Sequence, residues 1–189
     1  GELNGLEQLW YENGQKAMER TCKNNKLYGS EQWWYANGQK AIERTWKDDM
    51  LDEEKRTWKD GTRDGLEQHW YESGQLITKK TWKNGVKNGL EQQWYENGQK
   101  AEEHTWKDDK IDGFDQQWHE NGQKWKERMW KYGKRNGLEQ WWYENGQKEM
   151  ECTWKDDKCN GLKQEWYEIG KKLSNQTWKD NKLDGLEQW

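Results

Sequence analysis

A tryptophan returns every twelve residues along most of the chain: Trp34, Trp46, Trp58, Trp70, Trp82, Trp94, Trp106, Trp118, Trp130, Trp142, Trp154, Trp166 and Trp178. Trp10 is in phase with them, and Cys22 holds the one ladder position without an indole. A spacing kept this strictly means a short unit copied along the chain, each copy leaning on its neighbours. It also predicts that function is spread over a surface.

Composition limits what such a unit can bury. Of 189 residues only 30% are apolar while 36% are charged, a balance that by itself points to disorder. Eighteen tryptophans and eight tyrosines reverse that reading, because each buried aromatic ring system withdraws roughly 150–250 Å² from water. The core is therefore expected to be thin and aromatic. The absence of proline suits a chain made of hydrogen-bonded strands. A net charge of −4 with both signs interleaved argues against nucleic acid or an anionic membrane as partner. No apolar run approaches the roughly eighteen residues of a membrane-spanning helix, and no signal peptide is visible. Three cysteines do not make a disulfide framework and do not point to a compartment.

The full repeat is twenty-four residues long, and residues 89–112 show it well: GLEQQWYENGQKAEEHTWKDDKID. The domain reading is one continuous array over residues 1–189, with full copies opening at Gly5, Gly29, Gly65, Gly89, Gly113, Gly137 and Gly161. A half repeat occupies residues 53–64, and a partial copy fills residues 185–189. Each copy holds two alternating segments and two turn signals. The first turn is Asn13-Gly14 and its equivalents through Asn145-Gly146, for which a two-residue type I′ turn is expected. The second is Asn24-Asn25, Asp48-Asp49, Asn84-Gly85, Asp108-Asp109, Tyr132-Gly133, Asp156-Asp157 or Asp180-Asn181, mostly residues that tolerate the left-handed region. The fold class that follows is all-β: a single-layer antiparallel meander of tandem hairpins, about sixteen strands, elongated and twisted.

This register places opposite charges across from one another: Glu7 with Arg20, Glu31 with Arg44, Glu67 with Lys80, Glu91 with His104 and Asp115 with Arg128. Such pairs contribute roughly 0.2–1 kcal/mol each. Where Gln176 replaces the basic residue, its partner has become Lys163. The same register sets Tyr11 beside Lys16, Tyr35 beside Lys40 and Tyr95 beside Lys100. The half repeat should swap the edge on which the Asn-Gly turns lie, so that Asn37 and Asn97 sit at opposite edges. Unbulged strands put the ladder on two faces; a bulge at the Asp-Gly step before Leu66 or Phe114 would gather it on one.

Tyr-x-Asn-Gly, a charged strand and a Lys-x-x-Gly step, copied in tandem, resemble the MORN repeat, especially its bacterial variant. Tyr11, Asn13, Gly14 and Gly29 carry the likeness, as do Tyr35, Asn37, Gly38, Tyr95, Asn97, Gly98 and Gly113. The resemblance covers essentially the whole chain. It implies a twisted hairpin sheet acting as a scaffold or interaction surface, with membrane association in some members. This chain departs from the pattern in its many tryptophans at Tyr and Phe positions, in the half repeat, and in lacking a basic patch, so a membrane partner is not expected. Choline- or glucan-binding hairpin repeats fit its glycine spacing less well.

The ladder indoles are read first as the core, packed over Lys and Arg stems, and second as a platform for glycan rings. Trp33, Trp125, Trp141 and Trp189 stand off the ladder and are copy-specific, so they are the candidate exposed contact residues. Paired aspartates do not supply the six or more converging oxygens that calcium takes. His69, His104 and His119 fall at three different repeat positions without a repeated partner. Catalysis, cofactors and metals are therefore not expected. Cys152 and Cys159 flank the Asp156-Asp157 turn, diagonally on one face, and are expected as free thiols. The chain opens just after a turn and stops mid-strand at Trp189 without a capping copy, which predicts an excerpt of a longer array or, second, copies joined edge to edge. The function expected is a non-enzymatic scaffold binding protein, including itself, through a broad Trp-rich sheet; the alternative is an aromatic glycan-binding module at a cell surface.

Overall fold

The computed structural model describes residues 2–47 and 62–185, and strands and turns make up all of its regular structure. The chain divides into two compact units, residues 1–89 and 90–189. The first contains β1 (Gly5–Trp10), β2 (Lys16–Lys23), β3 (Lys26–Trp34), β4 (Lys40–Lys47), β5 (Thr62–Trp70), β6 (Leu76–Lys83) and β7 (Val86–Lys87). The second contains β8 (Gly89–Trp94), which starts at the boundary, then β9 (Lys100–Lys107), β10 (Lys110–Trp118), β11 (Lys124–Lys131), β12 (Lys134–Arg135) and β13 (Gly137–Trp142). It continues through β14 (Lys148–Lys155), β15 (Lys158–Trp166), β16 (Lys172–Lys179) and β17 (Lys182–Leu183). Within each unit, strands pair antiparallel in sequence order, so the all-β hairpin meander stands.

The charge register is as the sequence predicts: Glu7 faces Arg20, Glu31 faces Arg44, Glu67 faces Lys80, Asp115 faces Arg128 and Lys163 faces Gln176. The turns that produce it differ. At the first turn the Gly14 N–H donates to the Tyr11 carbonyl at 2.9 Å and the Tyr11 N–H to the Gln15 carbonyl at 2.8 Å. That is a three-residue loop with Gly14 in the left-handed region at φ 82 and Asn13 outside it, a type I turn with a glycine bulge rather than type I′. The odd loop is compensated within the strand, because Trp10 faces Lys16 while Leu9 faces Met18, leaving Ala17 as a bulge. The tyrosine pairs are corrected accordingly: Tyr11, Tyr35 and Tyr95 close on Gln15, Gln39 and Gln99, while Lys16 and Lys40 face Trp10 and Trp34.

The second turns are type I′, with positive φ at both central residues in Asn24-Asn25, Asn84-Gly85, Asp108-Asp109, Tyr132-Gly133, Asp156-Asp157 and Asp180-Asn181. Asp48-Asp49 lies outside the described residues. Tyr132 is the costly member, an aromatic side chain held at φ 52, where an ordinary L-residue loses about 1–2 kcal/mol. Tyr132→Asn is therefore expected to raise stability by about 0.5–1 kcal/mol, read as a higher denaturant midpoint at unchanged slope.

The half repeat does not swap the edge. β4 pairs directly with β5, placing Arg44 opposite Glu67. The Tyr35 hydroxyl donates to the Trp70 carbonyl at 2.8 Å and the Asn37 amide to the Glu72 carbonyl at 3.0 Å. The Asn37 and Ser73-Gly74 turns are thus neighbours on one edge. A strand inserted between β4 and β5 would break all three contacts. Residues 48–61, which carry most of the half repeat and Trp58, lie outside the described residues.

In each unit the described ladder indoles lie in rows on opposite faces, despite bulges at the Gly steps. On β10, Ile111 faces Trp106 and Asp115 faces His104, so four positions on one strand span two on its neighbour. Two extra residues leave the alternation of faces unchanged, where one would have reversed it. Glycine is needed at such steps: at Gly161, with φ +124, a Cβ would lie 3.2 Å from Thr153 Cβ. The ladder indole of the following strand lies across from that glycine, as Trp130 does from Gly113 and Trp178 from Gly161. This covers the backbone a missing side chain exposes.

Candidate interaction surface

In each unit one face is organised by a charge row. Among the described residues the buried set is largely ionisable: Glu31, Glu67, Glu91, His104, Asp115 and Glu139, joined by Ser174, Met18, Cys22, Cys152 and Cys159. Alternation on antiparallel strands brings one residue per strand into this row, and the flanking indoles exclude water from it. Trp46 donates to Glu31 at 2.9 Å and Trp130 to Asp115 at 3.0 Å. Arg63 lies 5.8 and 5.0 Å from the ring centroids of Trp46 and Trp82 while its Nη1 reaches Glu67 at 3.2 Å. Arg135 sits 3.6 Å over Trp154.

Charge pairing sets the protonation of this row. Burial opposes the ionised Asp115 carboxyl, yet hydrogen bonding from His104 and the Arg128 charge hold it below its usual range. Burial likewise works against a charged His104, but its bonds to Asp115 and Glu102 raise it above the ordinary histidine value. Lys126 goes the other way: burial and then the Arg128 charge lower it. Its ammonium lies 3.8 Å from the Trp141 centroid and 5.8 Å from that of Trp125.

The off-ladder tryptophans divide. Trp125 is 39% exposed and occupies the bulge position of β11. Its ring meets Trp141 at 6.5 Å, edge to face, and His119 at 6.0 Å. Trp33 and Trp141 are half-buried, and their indole N–H groups donate to Glu31 at 2.9 Å and Glu139 at 2.7 Å. The structure therefore brings Trp125 and Trp141 together around Lys126. Trp33 lies in the other unit, and Trp189 is outside the described residues.

In each unit the second face carries parallel rows. Lysine ammoniums lie over the other ladder indoles: Lys16 over Trp34 at 5.4 Å, Lys40 over Trp70 at 5.6 Å, Lys100 over Trp118 at 5.1 Å, Lys124 over Trp142 and Lys148 over Trp166 at 5.5 Å. Beside them runs a row of amide–carboxylate bonds, Gln8 to Glu19 at 2.6 Å, Gln92 to Glu103 at 2.8 Å and Gln116 to Glu127 at 2.7 Å. The third row is apolar and was missed from sequence. In the second unit it comprises Leu90, Phe114, Leu138 and Leu162, 43–52% exposed. Each follows the bulge glycine, and each shares strand parity with the glutamine two residues on. That parity was the available signal.

No group of three or more His, Cys, Asp or Glu side chains suited to a metal occurs among the described residues. The aspartate turns are used structurally: Asp157 accepts from the Arg135 backbone N–H at 2.9 Å and pairs with its Nε at 3.4 Å. Cys152 and Cys159 are free and buried. Burial, then a hydrogen bond with Cys159, push the Cys152 thiol well up.

The model of the MORN repeat variant matches residues 3–24, 27–48, 63–84, 87–108 and 135–156, more than half of the chain. Each matched segment holds one Asn-Gly or Ser-Gly hairpin, and in four of them its tyrosine reaches a tryptophan carbonyl on a neighbouring hairpin: Tyr11 to Trp34, Tyr35 to Trp70, Tyr95 to Trp118 and Tyr143 to Trp166. No curated protein matches the chain.

Proposed function

Because the chain belongs to the MORN repeat variant family, generally a non-enzymatic repeat module, we propose that it is a scaffold binding protein, in the first place a second copy of itself. The observation that carries this is the row of Leu90, Phe114, Leu138 and Leu162, each 43–52% exposed. Neighbouring members of the row are two strands apart, about 10 Å. A sheet face of fixed pitch is complementary to another of the same pitch, and this face presents both signs, Lys148 paired with Glu151 at 2.7 Å and Lys100 with Glu103 at 2.6 Å. Two copies related by a two-fold axis satisfy those charges while covering the apolar row.

Glycan stacking on the same face is less well supported. The lysine ammoniums over Trp34, Trp70, Trp118, Trp142 and Trp166 occupy the ring surfaces a sugar would need. Sedimentation velocity over a wide concentration range decides between the readings. Self-association is expected in the parent chain and lost in Phe114→Ser/Leu138→Ser, with an unchanged thermal melt because those side chains are already exposed. A chain that stays monomeric at every concentration, or a variant that associates equally, overturns the proposal. Quenching of tryptophan fluorescence by soluble polysaccharide would favour the glycan reading.

A further inference from the structure

One copy of the repeat departs from the others at two adjoining positions. Where Arg20, Arg44, Lys80, His104, Arg128 and Gln176 stand in other copies, this copy has Cys152. Where Leu27, Arg63, Lys87, Ile111, Arg135 and Leu183 stand, it has Cys159. Elsewhere these positions hold long or branched side chains that fill the space beside a ladder indole. Two short thiols leave it open, and a cavity of about 330 Å³ lies between β14, β15 and β16. Trp154 and Trp178 wall it, with Met150, Cys152, Cys159, Lys163 and Asn181 completing the lining.

We propose that this cavity binds one soft monovalent d10 metal ion, of the Cu(I) or Ag(I) class, through the sulfurs of Cys152 and Cys159, with the Met150 thioether beside them. Cys159 faces Trp154 directly, and Cys152 precedes Trp154 by two residues on the same face. Both thiols border the same cavity, so one ion seated there lies beside both sulfurs. The site is stiff, since the Cys159 N–H donates to Asn181 Oδ1 at 2.6 Å.

The donor set selects the metal. Thiolates and a thioether are soft ligands that favour Cu(I), whereas calcium takes six or more oxygens and structural zinc four N or S donors. The three sulfurs here meet neither requirement. Binding replaces two S–H protons by one cation, giving a bis-thiolate complex of charge −1 and releasing both protons to solvent. No electron is transferred. Lys163 faces Cys152, and its Nζ is 2.8 Å from Glu165, so a cation stands next to the added negative charge.

The test is a silver titration of the reduced full-length chain in chloride-free buffer, followed by tryptophan fluorescence and by alkylation with mass spectrometric mapping. One equivalent is expected to quench fluorescence and to protect Cys152 and Cys159 from alkylation in urea while Cys22 stays reactive. Cys152→Ser and Cys159→Ser should each weaken binding by more than about a hundredfold; Cys22→Ser should not change it. Met150→Leu should weaken it less, and this variant keeps the test decisive if a serine variant unfolds. Protection of Cys22 alone, unchanged binding in Cys152→Ser/Cys159→Ser, or no saturation at one equivalent overturns the proposal. This outcome is independent of self-association, which uses the opposite face.

Discussion

Glu67→Ala is expected to destabilise the first unit by about 3–5 kcal/mol, the loss seen when one partner of a buried ion pair is removed. Glu67 is 2% exposed and lies among four basic groups: Arg44 Nε at 3.4 Å, Arg63 Nη1 at 3.2 Å, Lys80 Nζ at 3.4 Å and His69 Nε2 at 2.6 Å. Burial by itself would raise its pKa, but the His69 hydrogen bond and the three cations lower it from 4.5 to about 2. A carboxyl depressed to that degree contributes up to about 3 kcal/mol. The sign follows from the depression: the contribution is complete above pH 4.5 and is lost as pH falls through about 2. Urea denaturation at neutral pH and again at mild acid checks this, with hydrogen exchange locating the loss in β4, β5 and β6. A neutral-pH midpoint unmoved by Glu67→Ala would mean that water, not the carboxylate, balances these cations.

The second large effect belongs to an indole. Trp130→Ala is expected to cost the second unit about 2–4 kcal/mol, somewhat below the range for a fully buried tryptophan because the ring is half-buried. Three losses combine. The Nε1–H bond to Asp115 at 3.0 Å goes, the Arg128 guanidinium loses a ring 5.3 Å away, and the backbone at Gly113 loses its cover. Trp130→Phe restores the cover and part of the cation–π contact but not the hydrogen bond, so it should recover more than half of the stability. Equal losses in the two variants would assign the whole effect to the Asp115 bond. Denaturant unfolding followed by circular dichroism separates the cases.

Much of the fold was legible because the constraint is local and repeated. Opposite charges at matching positions fix which residues face each other, and a one-residue slip would set Glu7 and Glu31 against neutral or like-charged residues. The second turns were equally readable, since Asn, Asp and Gly are the residues that tolerate two successive left-handed conformations. The first turn was not. Asn-Gly fits both a two-residue and a three-residue loop, and the Ala17 bulge cancels the difference before Arg20, so the charge pairs carry no trace of it. The apolar row was overlooked for a related reason: only strand parity places Leu138 and Phe114 on the face opposite the buried carboxylates.

From residue order alone came the twelve-residue period, the hairpin meander and the partners in the charge row, all set by contacts between neighbouring segments. Three matters were decided only in the folded chain: that β5 pairs with β4, that the indoles keep two faces, and that two cysteines border an open cavity. Each depends on groups far apart in sequence or on counting bulge residues. The Tyr35 bond to Trp70 spans thirty-five positions, and no local pattern announces a contact at that separation.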